Sequence, residues 1–99
     1  MRDFQSYVVK VKEPVTVDTD LGYRIFSVPP PGSGALVEFF VNILDGFNIT
    51  SRSLEKSSEA ILTYHRLVEA FKHVYAKRTH LADPDFVDVG EVILAPLLM

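Results

Sequence analysis

The run Ser27-Val28-Pro29-Pro30-Pro31-Gly32-Ser33-Gly34, followed at once by the apolar residues 35–47, constrains this chain more than any other feature. Three successive prolines hold φ near about −65° and remove three backbone donors. A strand reaching Val28 must therefore stop and continue as an extended, polyproline-like connector. Gly32, Ser33 and Gly34 then permit close backbone approach and offer a serine cap for a helix. The pattern predicts a strand, a stiff connector and a helix delivered to a fixed place.

Upstream, residues 4–11 read Phe-Gln-Ser-Tyr-Val-Val-Lys-Val, with Tyr7, Val9 and Val11 on one side and Val8 and Lys10 on the other, which is strand period. Pro14 marks an edge or bulge, Val15 and Val17 resume the run, and residues 18–22 carry turn chemistry before a second run at 23–28. A β-hairpin-like pair is expected. Downstream, the first helix is predicted over 34–45. Leu36, Val37, Phe39, Phe40, Val41, Ile43 and Leu44 cover nearly its whole circumference, so it must be covered on most sides. Two short strands and one other helix supply too little surface for that. The rest is expected from another chain or another part of a parent protein.

Gly46 is the expected stop of that helix, and residues 48–58 form a polar connector rich in serine. A second helix is predicted from about 58 to 79. Ile61, Tyr64, Val68, Phe71 and Tyr75 recur three and four apart, with Ala60, Leu67 and Val74 widening the stripe, the period of a helix lying on a core. Lys72, Lys77 and Arg78 sit toward its C-terminal end, where the dipole favours cations. Asp83-Pro84 closes the segment as a turn, the alternative being a pair of metal ligands with Asp85. The fold class is thus α+β, with hairpin-like strands and two main helices.

Ninety-nine residues permit one domain at most, and 47% hydrophobic content with a mean hydropathy of +0.16 is rich for so short a chain. Both favour a piece of a larger interior. Ten Lys+Arg are interspersed with thirteen Asp+Glu, for a net charge of −3, so neither a nucleic-acid footprint nor an anionic-lipid patch is present. The absence of cysteine excludes disulfides and thiolate chemistry without fixing a compartment. Arg2 and Asp3 lead straight into strand-like sequence rather than a signal peptide, and apolar runs fall short of the roughly 18 residues of a membrane span. An address, where the parent has one, is expected outside this chain.

Several constellations invite chemical readings. His65, Glu69 and His73 fall at i, i+4 and i+8 on one side of the second helix. The metalloprotease pattern places its histidines four apart, whereas these lie about 12 Å apart along the axis, too far to share one ion easily. The competing readings are a solvated polar face with a His65–Glu69 pair, and hydrogen bonding that orients a neighbouring segment. Thr79-His80 superficially offers a threonine nucleophile, but Thr79 follows a helix rather than a processing turn. Gly32-Ser33-Gly34 lacks both the Lys-Ser/Thr of a phosphate-binding loop and the elbow pattern of a hydrolase serine, which leaves helix capping. Asn48-Ile49-Thr50 is an N-glycosylation acceptor in the predicted connector, so Asn48 is the one candidate modification site. No catalytic residue, metal ligand or cofactor is assigned.

The blocks Pro29-Pro30-Pro31 with Ser33-Gly34, Asn42-Ile43-Leu44 with Gly46-Phe47, Tyr64-His65-Arg66 with Glu69-Ala70, and Tyr75-Ala76-Lys77-Arg78 with Asp83-Pro84 are each common. In this order and spacing they resemble the C-terminal part of the large chain of a gamma-glutamyltransferase, also called glutathione hydrolase or transpeptidase. The resemblance starts near residues 7–14 and continues through Val89, which makes 1–91 the family segment and 92–99 a divergent apolar tail. It implies a fragment of an N-terminal nucleophile hydrolase fold, an αββα sandwich, cut by its own precursor into a large and a small chain. It also implies transfer of the gamma-glutamyl group of glutathione to water or an amino acid, in a parent that is secreted or held on the outer face of the plasma membrane. The family's substrate-binding arginine lies upstream of this region and its threonine nucleophile downstream, so the isolated chain is expected to be inactive. The implied partners are the remainder of the large chain and the small catalytic chain. The alternative is a free-standing interaction module that docks through its apolar helix.

Overall fold

Turn chemistry at residues 19–22 closes a β-hairpin, and the polyproline connector sets a helix against it. The computed structural model describes residues 2–90, in the order α1 (Arg2–Gln5), β1 (Val15–Asp18), β2 (Arg24–Ser27), α2 (Gly34–Asp45), a 3₁₀ turn (Ser51–Leu54) and α3 (Ser57–Arg78). Gly22, at φ +82°, takes the left-handed conformation that the turn needs, and its N–H donates to the Thr19 carbonyl at 2.9 Å. The strands pair antiparallel with Val15 opposite Ser27 and Asp18 opposite Arg24. Val15, Val17, Ile25 and Ser27 are the less exposed members of the pleat and share one face, while Thr16, Asp18, Arg24 and Phe26 share the solvent face. Across that outer face the Arg24 guanidinium donates two hydrogen bonds to the Asp18 carboxylate, at 2.7 and 2.9 Å. α2 packs against both strands.

The strand expected over 4–11 does not form. Residues 2–5 make a single helical turn, and residues 7–14 run unpaired and exposed. A period of two makes a segment fit for a sheet but supplies no partner strand, and here the 19–22 turn commits β1 to β2. Two lysines tie the run down instead: Lys10 pairs with Asp85, and the Lys12 ammonium donates to the Pro30 carbonyl at 3.2 Å.

The connector is also tighter than a polyproline rod. The Pro30–Pro31 bond is cis, and the Gly32 N–H, the first donor after three prolines, reaches back to the Pro29 carbonyl at 2.9 Å. Close approach continues at Gly34, where a Cβ would lie 2.2 Å from the Val28 carbonyl oxygen and 2.6 Å from the Ser27 Cβ. The helix therefore starts pressed onto the end of β2, which only a residue without a side chain allows.

α2 occupies the predicted residues and stops at Gly46 as expected, but the serine cap expected at its start does not form. Ser33 takes the N-cap place with φ −92° and ψ 20°, outside the extended conformation that aims a hydroxyl at the first turn, and its side chain makes no capping bond. Its backbone carbonyl accepts from Leu36 and Val37. At the other end Gly46 stays right-handed at φ −61°, and Asn48 takes the left-handed conformation at φ 49°.

α3 begins and ends one residue before the expected bounds, yet its strongest apolar stripe faces outward. Ile61, Tyr64, Val68, Phe71 and Tyr75 are each more than half exposed, and α2 is met by the face bearing Ala60, Thr63, Leu67, Ala70 and Val74. Small residues win that contact because they let two helices approach closely. Thr63 also ties α3 to the 3₁₀ turn, its hydroxyl lying 2.9 Å from the carbonyls of Ser53 and Glu59. At the edge of the contact, Phe40 and Phe71 stack with centroids 4.2 Å apart. Buried apolar residues among those described are Val17, Ala35, Leu36, Phe39, Ala70 and Val89. This is a small core in an elongated chain, whose radius of gyration of 17.1 Å exceeds the about 13 Å of a compact domain of this length.

Candidate functional site

The polar stripe of α3 resolves into ion pairing. The Glu69 carboxylate accepts from the Lys72 ammonium at 2.5 Å, one turn along the helix. That bond, ahead of the weaker fields of His65 and His73, holds the Glu69 carboxyl below its ordinary range. Among the described residues no group of three histidine, cysteine or acidic side chains is placed to hold a metal ion.

The two hydroxyl candidates come together in space without acquiring a base. Ser33 and Thr79 line one cleft of about 380 Å³ with Tyr75, Arg78 and Asp83. Thr79 caps α3 and spends its hydroxyl on the Ala76 carbonyl at 2.8 Å, a helix-end role rather than that of a nucleophile. Arg78 lies 5.5 Å from the centroid of the Tyr75 ring and donates to its hydroxyl at 3.2 Å. Asp83 works as a turn former: its carboxylate accepts from the Asp85 N–H at 3.0 Å and its carbonyl from Phe86 and Val87. Asp85 pairs with Lys10, which lowers the Asp85 pKa and raises that of Lys10.

Asn48 is exposed in the loop between α2 and the 3₁₀ turn, where its N–H donates to the Asp45 carbonyl at 3.0 Å. It lies on the rim of a groove of about 740 Å³ floored by Leu44, Leu54, Tyr64 and Leu67. Asp20 and Asp45 add the only charge to that lining, and the Asp20 N–H donates to the Asp45 carboxylate at 2.6 Å.

One ionisable residue escaped the sequence reading. Glu38 is 1% exposed inside α2, and the signal for it was present: between Leu36 and Leu44 it is the only charged residue in an apolar helix. Helix-wide hydrophobicity drew attention to its neighbours instead.

Comparison with known proteins decides what this arrangement of hairpin, proline turn and two helices belongs to. The family model of gamma-glutamyltranspeptidase matches residues 1–98. The chain belongs to the gamma-glutamyltranspeptidase family. Glutathione hydrolase 2 of Arabidopsis thaliana is 42% identical over 99 residues, which is 99% of this chain and 16% of that protein. Glutathione hydrolase 5 proenzyme of Rattus norvegicus is 36% identical over 85% of this chain and 14% of its own length. The crystal structure of Helicobacter pylori gamma-glutamyltranspeptidase superposes with a TM-score of 0.77 at 30% identity, over 93% of this chain and 26% of that one. The two strands and two main helices are thus a fragment of the gamma-glutamyltranspeptidase form of the N-terminal nucleophile hydrolase fold. The chain spans about one-sixth of its curated relatives' length. The division at residue 91 and the apolar tail 92–99 lie outside the described residues.

Proposed function

We propose that this chain is a scaffold segment of a glutathione hydrolase, an enzyme that moves the gamma-glutamyl group of glutathione to water or to an amino acid, and that the segment carries no catalytic residue of its own. The observation that carries this reading is the outward stripe of α3. Ile61, Tyr64, Val68, Phe71 and Tyr75 recur at core spacing yet are exposed, and a stripe of that size needs a cover that the other described residues do not provide. The remainder of the large chain and the small catalytic chain are the partners that fit it. Acyl transfer of this kind needs a freed threonine amine, donors for the oxyanion and a cation for the substrate carboxylate. Of the threonines described, Thr63 and Thr79 hydrogen-bond within their helices, and Thr50 caps the 3₁₀ turn.

A parent enzyme on the outer face of the plasma membrane, or secreted, would meet the glycosylation machinery, and Asn48 is exposed in a loop as that modification requires. A second reading, a free-standing module that docks through its apolar first helix, meets an α2 in which Val37 alone is exposed, so a docking surface would lie on the α3 stripe and the groove beside it.

Incubation of the purified 99-residue chain with a gamma-glutamyl anilide tests the first reading. The expected result is no self-cleavage and no hydrolysis above buffer. Turnover that disappears on Thr79→Ala would overturn it and make Thr79 the nucleophile. A sharply melting monomer that binds no hydrophobic dye would favour the module.

A further inference from the structure

Glu38 is buried, and among the described residues the structure records no counter-charge at its carboxyl. Its Oε1 has no hydrogen-bond partner, and the Ser27 side chain is the group that bonds to its carboxyl. The placement follows from the start of the helix. Glu38 lies one turn beyond Gly34, on the same side of α2, and Gly34 is pressed against Ser27 and Val28. The contact that demands a glycine at the first turn therefore carries a carboxyl group onto the end of β2 at the next.

Among the described residues, these charged groups around α2 are engaged with partners other than Glu38. Asp18 and Arg24 pair with each other on the solvent face of the hairpin. Lys12 binds the Pro30 carbonyl, and Lys10 binds Asp85. On α3, Arg66 lies over the Phe47 ring at 5.0 Å, Glu69 holds Lys72, and Arg78 covers Tyr75. Asp45, at the far end of α2, accepts from Asp20, while Asp83 and Asp88 accept backbone N–H groups of their own turns. The face of the hairpin that carries Ser27 otherwise bears Val15, Val17 and Ile25, which offer Glu38 no charge.

We propose that Glu38 is a protonation latch: as a neutral acid it holds α2 closed on the hairpin, and on ionisation it releases the helix from the end of β2. Neutral, the carboxyl needs only the Ser27 hydroxyl and tolerates apolar surroundings. Ionised, it is a charge without a recorded cation, and the relief is for the first turns of α2 to part from the end of β2 until water reaches the carboxylate. Burial holds the Glu38 carboxyl above its ordinary value of 4.5, against the opposing pull of Ser27. The sign follows: a raised value in the closed state means that the extra closure is fully present below the ordinary carboxyl range and is lost as pH rises through the raised value.

Amide hydrogen exchange of the 99-residue chain between pH 3.5 and 8, corrected for intrinsic exchange rates, reads the latch directly. Protection of α2 should fall about tenfold per pH unit across the interval between the ordinary and the raised pKa and then level off, while the middle of α3 changes less. Glu38→Gln should remove that slope and keep α2 closed at pH 8. Ser27→Ala removes a hydroxyl that favours the charged form, so it should displace the fall to higher pH. The proposal is overturned by an unchanged slope in Glu38→Gln, by a Glu38 carboxyl that titrates at or below 4.5 in carbon-detected NMR, or by an α2 that is unprotected at every pH.

Discussion

Replacing Gly34 by alanine should destabilise the chain even though alanine is the better helix former. The added Cβ would lie 2.2 Å from the Val28 carbonyl oxygen, 2.6 Å from the Val28 nitrogen and 2.6 Å from the Ser27 Cβ. Two of these are backbone atoms at the end of β2, so no rotamer change relieves the clash. To reach an ordinary contact of 3.4 Å the helix start must withdraw by roughly 1 Å, which opens the seat of Ala35 and Leu36 as well. Overpacking of this kind costs about 1–3 kcal/mol, and the gain in helix propensity offsets at most about 1 kcal/mol of it. Gly46 is the internal control. It has φ −61° and its nearest contact for a Cβ is 3.6 Å away, so Gly46→Ala should stabilise by about 0.4–1 kcal/mol by restricting the unfolded chain. The two substitutions carry the same chemistry and opposite signs. Urea unfolding followed by circular dichroism at 222 nm compares them, and in a domain of this size each kcal/mol corresponds to about 4–8 °C in melting temperature. A Gly34→Ala chain as stable as the original would refute the reasoning that the helix start is pressed onto β2.

Other outcomes follow from the same geometry. The isolated chain should bind a hydrophobic dye through the α3 stripe, and the signal should fall in a Val68→Ser, Tyr75→Ser double variant; a dye-silent chain with a sharp melt would contradict this. Zinc should bind no more tightly than to an unstructured histidine peptide, because His65 and His73 are two turns apart; stoichiometric sub-micromolar binding lost on His65→Ala would sink the argument. Thr63→Val should cost about 1 kcal/mol, read by urea titration, since it removes the hydroxyl shared by the Ser53 and Glu59 carbonyls while keeping the volume. A neutral result would mean that packing alone joins α3 to the 3₁₀ turn. In a secreted parent, Asn48→Gln should abolish a glycosidase-sensitive mass shift, and an unshifted parent would mean that the loop is shielded.

What was legible in the sequence is what local chemistry dictates. The prolines and glycines of 29–34 announced the entry of α2, the 18–22 cluster announced the hairpin turn, and the period of three and four announced α3 almost to the residue. Relations between elements were not legible. Tyr7, Val9 and Val11 alternate as a strand does, but alternation cannot say which strand it pairs with. Ser33 sits where a capping serine sits, yet the close contact at Gly34 fixes the backbone and with it the direction of the hydroxyl. At the candidate site, residue spacing sets His65 and His73 two turns apart along the helix, whereas the Glu69–Lys72 pair and the burial of Glu38 depend on rotamers and on a neighbouring strand.

The two faces of α3 have the most instructive cause. Its sequence carries two apolar faces at once, a large one through Ile61, Tyr64, Val68, Phe71 and Tyr75 and a smaller one through Ala60, Thr63, Leu67, Ala70 and Val74. Periodicity merges the two into one wide stripe, since Ala60, Leu67 and Val74 flank the larger residues, and does not say which part meets α2. Helix pairs are decided by fit, and the small face won because Ala70 and Thr63 let α2 come close. A surface helix needs one apolar face, so a helix with two is built for neighbours on both sides. The same holds at residues 7–11, whose Tyr7, Val8, Val9 and Val11 are all exposed although both sides of the strand period are largely apolar. Two separate segments thus carry more apolar surface than the described residues cover, which is the pattern expected of a slice through a larger core.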